Sequence, residues 1–136
     1  MILVDTNVLM YAAGAAHRLK DPSTQFLERV ASGAVDAVLD AEVLQEILHR
    51  YRALGRWAEG RQVFDLARTL FPVVLPVTAD VMDRARAVLD QNAHLTARDA
   101  VHVAVVLAND LDAICSYDGD FDSVAGVVRV EPEAVS

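Results

Sequence analysis

The chain opens on a short apolar run, Ile2–Val4, that ends on an acid, Asp5. That pattern predicts a buried strand. Val8–Ala13 continue apolar and predict a short helix or turn. Asp21-Pro22-Ser23 predicts a helix start, with Ser23 as the cap and Pro22 setting the first turn. Phe26, Leu27 and Val30 follow at helical spacing, and Gly33 closes the helix. Val35–Leu39 predicts a second strand, interrupted by Asp36. From Ala41 to Leu54 the apolar residues Val43, Leu44, Ile47, Leu48 and Tyr51 step by three and four, one face of a helix. Gly55 and Gly60 bracket a break, and Val63, Phe64, Ala67, Leu70 and Phe71 form the next stripe, closed by Pro72. Val73–Val77 is strand-like, with Pro76 confining it to an edge or an end. Thr78 caps a helix with stripe Val81, Met82, Ala85, Val88 and Leu89, and Thr96 caps another through Val101, Ala104, Val105 and Ala108. Ala113–Ser116 and Val127–Val130 predict the last two strands.

Strands separated by helices require crossovers and a largely parallel sheet covered on both faces. The expected class is therefore α/β, a three-layer sandwich with a mostly parallel central sheet flanked by helices, in one domain over residues 1–136. A hydrophobic fraction of 54% and a mean hydropathy of +0.26 suit a folded core. No apolar run reaches the roughly 18 residues that span a bilayer. The first ten residues lack a basic segment and read as a strand, not a signal peptide. Cys115 is the only cysteine, which excludes a disulfide framework and a Cys-rich zinc site and points to a reducing cytosol.

The net charge of −8 speaks against nucleic-acid binding, which ordinarily shows a basic footprint. Two features qualify that. Acids that ligate a metal have their charge cancelled by it. Arg50, Arg52, Arg56, Arg61 and Arg68 also lie in one stretch whose only acids are Glu59 and Asp65. That stretch reads equally as a local positive region that guides RNA, through Arg50, Arg52 and Arg56, or as a solvated helix face.

The acids fall where chemistry collects in an open parallel sheet, at the carboxyl ends of strands and the starts of helices. Asp5 ends the first strand. Asp118 and Asp120 follow the Ala113–Ser116 strand. Asp99 lies in the first turn of the helix capped by Thr96, and Glu42 and Glu46 lie early in the helix after the second strand. Carboxylates gathered in one pocket repel one another unless cations enter. Oxygen ligands favour Mg²⁺ or Mn²⁺, which can activate water and polarise a phosphodiester. Each acid also has an ordinary reading: a helix-dipole partner for Asp99, a turn for Asp118-Gly119-Asp120, exposed helix residues for Glu42 and Glu46. Asp5, directly after a buried run, needs a partner in any case.

Val4-Asp5-Thr6-Asn7-Val8-Leu9 resembles the first motif of PIN-domain proteins, and Val43-Leu44-Gln45-Glu46-Ile47 the second. Asp99-Ala100-Val101-His102-Val103-Ala104 resembles the third, and Ser116-Tyr117-Asp118-Gly119-Asp120-Phe121 the fourth. They stand in family order and span nearly the whole chain, whose length is similar to that of VapC-type toxins of toxin–antitoxin pairs. The resemblance implies a PIN fold and a metal-dependent endoribonuclease using Mg²⁺ or Mn²⁺. It implies an acidic quartet of Asp5, Glu46, Asp99 and Asp118, with Asp5, Asp99 and Asp118 on the metal. Asp120 takes the place of an accessory acid, Thr6 of a hydroxyl beside the metal, Asn7 of a brace, and Ser116 of a frequent Thr or Ser. Glu42, one turn before Glu46, competes for the second motif; the Val-Leu-Gln-Glu string favours Glu46. The implied partners are an RNA substrate, a second copy of the chain and an antitoxin that lays a basic segment in the acidic groove.

His102 shares a helix face with Asp99; it reads as a phosphate donor or, preferably, as a partly buried helix histidine. His17, His49 and His94 have no pattern linking them to the acids. Trp57 and Tyr51 flank arginines and suit packing better than base stacking. A receiver-like phosphoacceptor domain would need a lysine at a later strand end, whereas the only lysine, Lys20, is expected in a loop. The alternative kept is a PIN-fold protein that binds RNA or a partner without cutting.

Overall fold

Leu3 and Val4 are completely buried because β1 (Ile2–Val4) is the central strand. The computed structural model describes residues 1–136. Its sheet has the order β3-β2-β1-β4-β5, with β2 at Ala37–Asp40, β3 at Val74–Leu75, β4 at Ala113–Cys115 and β5 at Arg129–Val130. Every pairing is parallel: Leu3 is in register with Val38 on one side and with Ile114 on the other. The edge strands β3 and β5 are the shortest, and Pro76 follows β3 directly, as expected for a residue that cannot donate to a ladder.

Six helices make the crossovers: α1 (Thr6–Ala13), α2 (Lys20–Ala31), α3 (Ala41–Ala53), α4 (Trp57–Leu70), α5 (Ala79–Gln91) and α6 (Ala97–Ala108). Alternation along the strands divides the core into two layers. Val4, Leu39 and Cys115 face Val8, Phe26, Val43, Ile47 and Phe71 of the α1–α4 side. Leu3, Val38 and Ile114 face Val103, Val106 and Phe121 on the other. Each fully buried aliphatic side chain contributes about 1.5–3 kcal/mol, so these layers outweigh the cost of holding several acids at the sheet's edge. The α/β sandwich expected from the order of elements is the observed fold.

Thr78 and Thr96 cap α5 and α6 as expected, accepting from Val81 N and Asp99 N. Three local expectations are corrected. Ser23 does not cap α2: the helix begins at Lys20, leaving Ser23 buried inside it. Lys20 is thus helical rather than in a loop, and its Nζ donates to Ala12 O and Gly14 O, tying α2 to the end of α1. Gly60 is not part of a break. The turn is at Gly55 (φ +69°), and Gly60 lies in the first turn of α4, where it lets the helix press against Tyr51. No helix is long and apolar enough to cross a membrane.

The chain runs β1, β2, β3 outward on one side and then returns to place β4 on the other side of β1. The crevice at the carboxyl ends of β1 and β4 is therefore the topological switch point, where open α/β sheets bind ligands. Asp5 and Ser116 directly follow these strands, and Asp40 ends the neighbouring β2.

Candidate active site

Asp5 is buried, and its partners come from both strands. Thr6 N donates to Oδ1 at 2.7 Å, and Ser116 Oγ donates to Oδ2 at 2.7 Å. Asn7 Nδ2 reaches Asp5 Oδ2 at 3.3 Å and Ser116 Oγ at 3.0 Å, while Asp118 N donates to Ser116 Oγ at 3.0 Å. One serine hydroxyl thus locks the acid after β1 to the loop after β4, with Asn7 as the brace. Asp118 in turn accepts from Asp120 N at 2.9 Å and starts the short 3₁₀ turn Gly119–Ser123.

The sequence acids converge in two groups. Asp5, Glu46 and His102 bring one ligand atom each within 4.8 Å of one another, and Asp99, Asp118 and Asp120 do the same. The Ser116 bridge between Asp5 and Asp118 joins the groups, and Asp99 also feels the charge of His102. Glu42, also partly buried, stands outside both groups, and Glu46 is the one of the two that lies with Asp5.

Three members of the site, Asp40, His102 and Arg98, lay outside the sequence assignments. Asp40 falls one residue past the expected strand Val35–Leu39 and carried no reading of its own. Its Oδ1 caps α3 by accepting from Val43 N at 2.9 Å, and its Oδ2 lies 2.7 Å from His102 Nδ1. His102 is fully buried rather than partly so, and its Nε2 lies 3.6 Å from both Asp5 Oδ1 and Glu46 Oε1. At that distance no hydrogen bond forms, and Nε2 has no other partner. The seven consecutive buried residues Ala100–Val106 on α6 were the available signal: a histidine inside such a run requires a polar partner in the core. Arg98 was also missed; its Nε lies 3.9 Å from Glu46 Oε1, half-exposed at the rim.

Electrostatics follow from burial set against these neighbours. Burial raises the Asp5 carboxyl above its ordinary range, opposed by His102 and Ser116. Burial likewise raises Asp99, and the charge of Asp118 adds to it. Glu46 moves the other way: burial pushes it up, but His102 and Arg98 outweigh that and hold it low. Burial disfavours a charged His102, yet Asp40, Glu46 and Asp5 prevail and raise its pKa well above 6.5. Cys115, buried behind Asp5, has its thiol pushed up to about 12, which leaves it an inert apolar side chain.

The donor set fits a divalent cation: hard carboxylate oxygens, partly stripped of water, with one buried nitrogen unpaired among them. The arginine stretch is at the surface. Arg50 and Arg52 are exposed on the last turn of α3, one turn and more beyond Glu46, and Arg56 is paired with Glu59. Of the remaining histidines, His17 stacks on Tyr11 with ring centroids 4.8 Å apart. His94 Nε2 contacts Asp120 O at 2.9 Å and Ser123 Oγ at 3.0 Å. Tyr51 packs in the core.

The family model of the PIN domain matches residues 2–127. Ribonuclease VapC13 of Mycobacterium tuberculosis is 42% identical over 130 residues, covering 96% of this chain and 99% of the relative. Among solved structures, Mycobacterium tuberculosis VapC20, described as a sarcin–ricin loop cleaving toxin, superimposes with a TM-score of 0.73 at 24% identity, covering 97% of this chain and all of that one. VapBC2 of Rickettsia felis, solved bound to a fragment of its promoter DNA, gives a TM-score of 0.76 at 14% identity over 96% of this chain and 98% of that one.

Proposed function

Because the chain belongs to the PIN-domain family, with VapC ribonucleases among its relatives, we propose that it is a metal-dependent endoribonuclease, the toxin of a toxin–antitoxin pair, acting in the cytoplasm as one PIN-like domain over residues 1–136. The observation that carries the reading is that the four acids gather as two groups at the carboxyl edge of the sheet, Asp5 with Glu46 and Asp99 with Asp118, linked through Ser116 and the backbone of Asp118. In this reading Asp5, Asp99 and Asp118 hold Mg²⁺ or Mn²⁺, with Asp120 as accessory acid and Thr6, Asn7 and Ser116 fixing the ring.

A bound divalent ion supplies charge withdrawal from the phosphodiester and a lowered pKa for water. The chain's own residues do the rest. Glu46, held ionised by His102 and Arg98, orients the attacking water and takes its proton. Arg98 at the rim, and Arg50 and Arg52 farther along α3, draw the RNA backbone toward the acids. In-line attack by water expels the 3′ oxygen, leaving a 5′-phosphate and a 3′-hydroxyl. Water is the nucleophile because Ser116 is locked between Asp5 and Asp118, and Cys115 is buried and protonated. In the same reading a second copy of the chain and an antitoxin with a basic segment are the protein partners, the latter matched to the net charge of −8.

The test is cleavage of RNA by the purified chain with Mg²⁺ or Mn²⁺. Activity is expected to stop with EDTA and to be absent from Asp5→Ala and Asp118→Ala, each still folded by circular dichroism. Fragment ends are then mapped. A 2′,3′-cyclic phosphate would rule out the water mechanism, and EDTA-resistant cutting would rule out the metal.

A further inference from the structure

Asp40 and His102 are both fully buried, and the mechanism above gives neither a direct task. A buried ion pair is weak support for a fold, because desolvation offsets most of its attraction. The pair instead has the arrangement of a metal-bound histidine: a carboxylate on one ring nitrogen and an open site on the other. With Asp40 Oδ2 accepting from Nδ1–H at 2.7 Å, the ring is fixed and Nε2 is left as the free nitrogen.

We propose that His102 Nε2 is a ligand of the divalent ion, beside Asp5 Oδ1 and Glu46 Oε1 and oriented by Asp40, so that the site favours a transition ion such as Mn²⁺ over Mg²⁺. The inference rests on the metal-dependent reading above and deepens it: Glu46 meets the ion through Oε1, and its second carboxylate oxygen is left to orient the water. Three observations carry it. The nitrogen is completely buried and makes no hydrogen bond. It lies 3.6 Å from each of two carboxylate oxygens, too far to donate well. Ligand atoms that each stand about 2.0–2.2 Å from one ion are themselves about 3–3.6 Å apart, so the three atoms need little movement to share one. The mixed nitrogen and oxygen set then selects, since Mg²⁺ takes oxygen ligands and imidazole suits transition ions.

The experiment is pulsed electron paramagnetic resonance of Mn²⁺ bound to the full chain. Nitrogen-14 modulation is expected in the unmutated protein, converting to the nitrogen-15 pattern when the chain is grown on ¹⁵N-histidine; this measurement needs no variant to fold. His102→Gln is expected to lose the coupling, to bind Mn²⁺ about tenfold or more weakly, and to lose most of its preference for Mn²⁺ over Mg²⁺. Asp40→Asn is expected to keep the coupling while weakening Mn²⁺ by about tenfold, and His94→Gln to leave both unchanged. Bound Mn²⁺ without nitrogen coupling, a coupling that survives His102→Gln, or no binding of Mn²⁺ at all overturns the assignment. Cleavage is scored separately. An oxygen-only site in a chain that cuts RNA leaves the ribonuclease reading standing, and a nitrogen-coupled ion in a chain that cuts nothing does the reverse.

Discussion

At Asp99 burial and the nearby charge of Asp118 disfavour ionisation, and Thr96 and His102 oppose them. The net effect raises the carboxyl above its ordinary range, so without metal the ionised side chain works against folding. Asp99→Asn is expected to match or exceed the parent's unfolding midpoint in EDTA while losing RNA cleavage; a fall of several degrees would instead mark a structural role. Its backbone N–H to Thr96, which caps α6, is untouched by the substitution. His102 gives the opposite dependence. Its folded pKa is raised above 6.5, so the stabilisation it lends is complete below about pH 6.5 and is lost as pH rises through the higher folded value. In EDTA the unfolding midpoint is therefore expected to fall between neutral and alkaline pH. His102→Gln should flatten that slope, as thermal scans across the range would register.

Helix α3 combines two tasks on one element. Asp40 caps its start, Glu46 sits at mid-helix in the site, and Arg50 and Arg52 close it, where cations also meet the helix dipole. If these arginines guide RNA, Arg50→Ala with Arg52→Ala should lower the slope of log affinity against log salt by up to about 0.7 per lost phosphate contact on a single strand. Arg56→Ala should change it less, because that guanidinium is already held by Glu59. An unchanged slope in the double variant reduces the stretch to a solvated face. The α3–α4 hairpin depends on Gly60. A Cβ there would stand 2.9 Å from Tyr51 Cγ and 3.3 Å from Trp57 Cε3. Gly60→Ala gains about 1 kcal/mol of helix propensity against an overpacking cost of about 1–3 kcal/mol. The expected result is a lower midpoint in denaturant titration.

For the molecule as a whole, the acids at the switch point oppose folding until a cation enters, while the two apolar layers behind them favour it. Divalent metal should therefore stabilise the chain by about 2.7 kcal/mol at a concentration one hundred times its dissociation constant. The rise in unfolding midpoint should be reversed by EDTA and much reduced in Asp5→Ala. A midpoint indifferent to Mn²⁺ and Mg²⁺ would show that the acidic edge binds neither.

The sequence by itself determined the elements and their order, because periodicity and capping are local. The apolar run before Asp5, the three-and-four steps of α3, and Thr78 and Thr96 at the helix starts each express their meaning within a few residues. It also put the acids at strand ends and helix starts, since a parallel sheet sends all its carboxyl ends to one edge. What only the tertiary structure decided was which groups meet there. Asp40 and His102 are 62 residues apart, and Asp5 and Ser116 are 111 apart. No local pattern carries a distance of 2.7 Å between such residues; it arises when α6 packs across the sheet and β4 pairs with β1. The same holds for Gly60, which resembles a helix breaker until Tyr51 is packed against it. Ser23, likewise, resembles a cap until Lys20 extends the helix by bonding to the end of α1. Local propensities fix the pieces, and contacts across the core fix the environment of each side chain, because burial and neighbouring charge depend on residues far away in the chain.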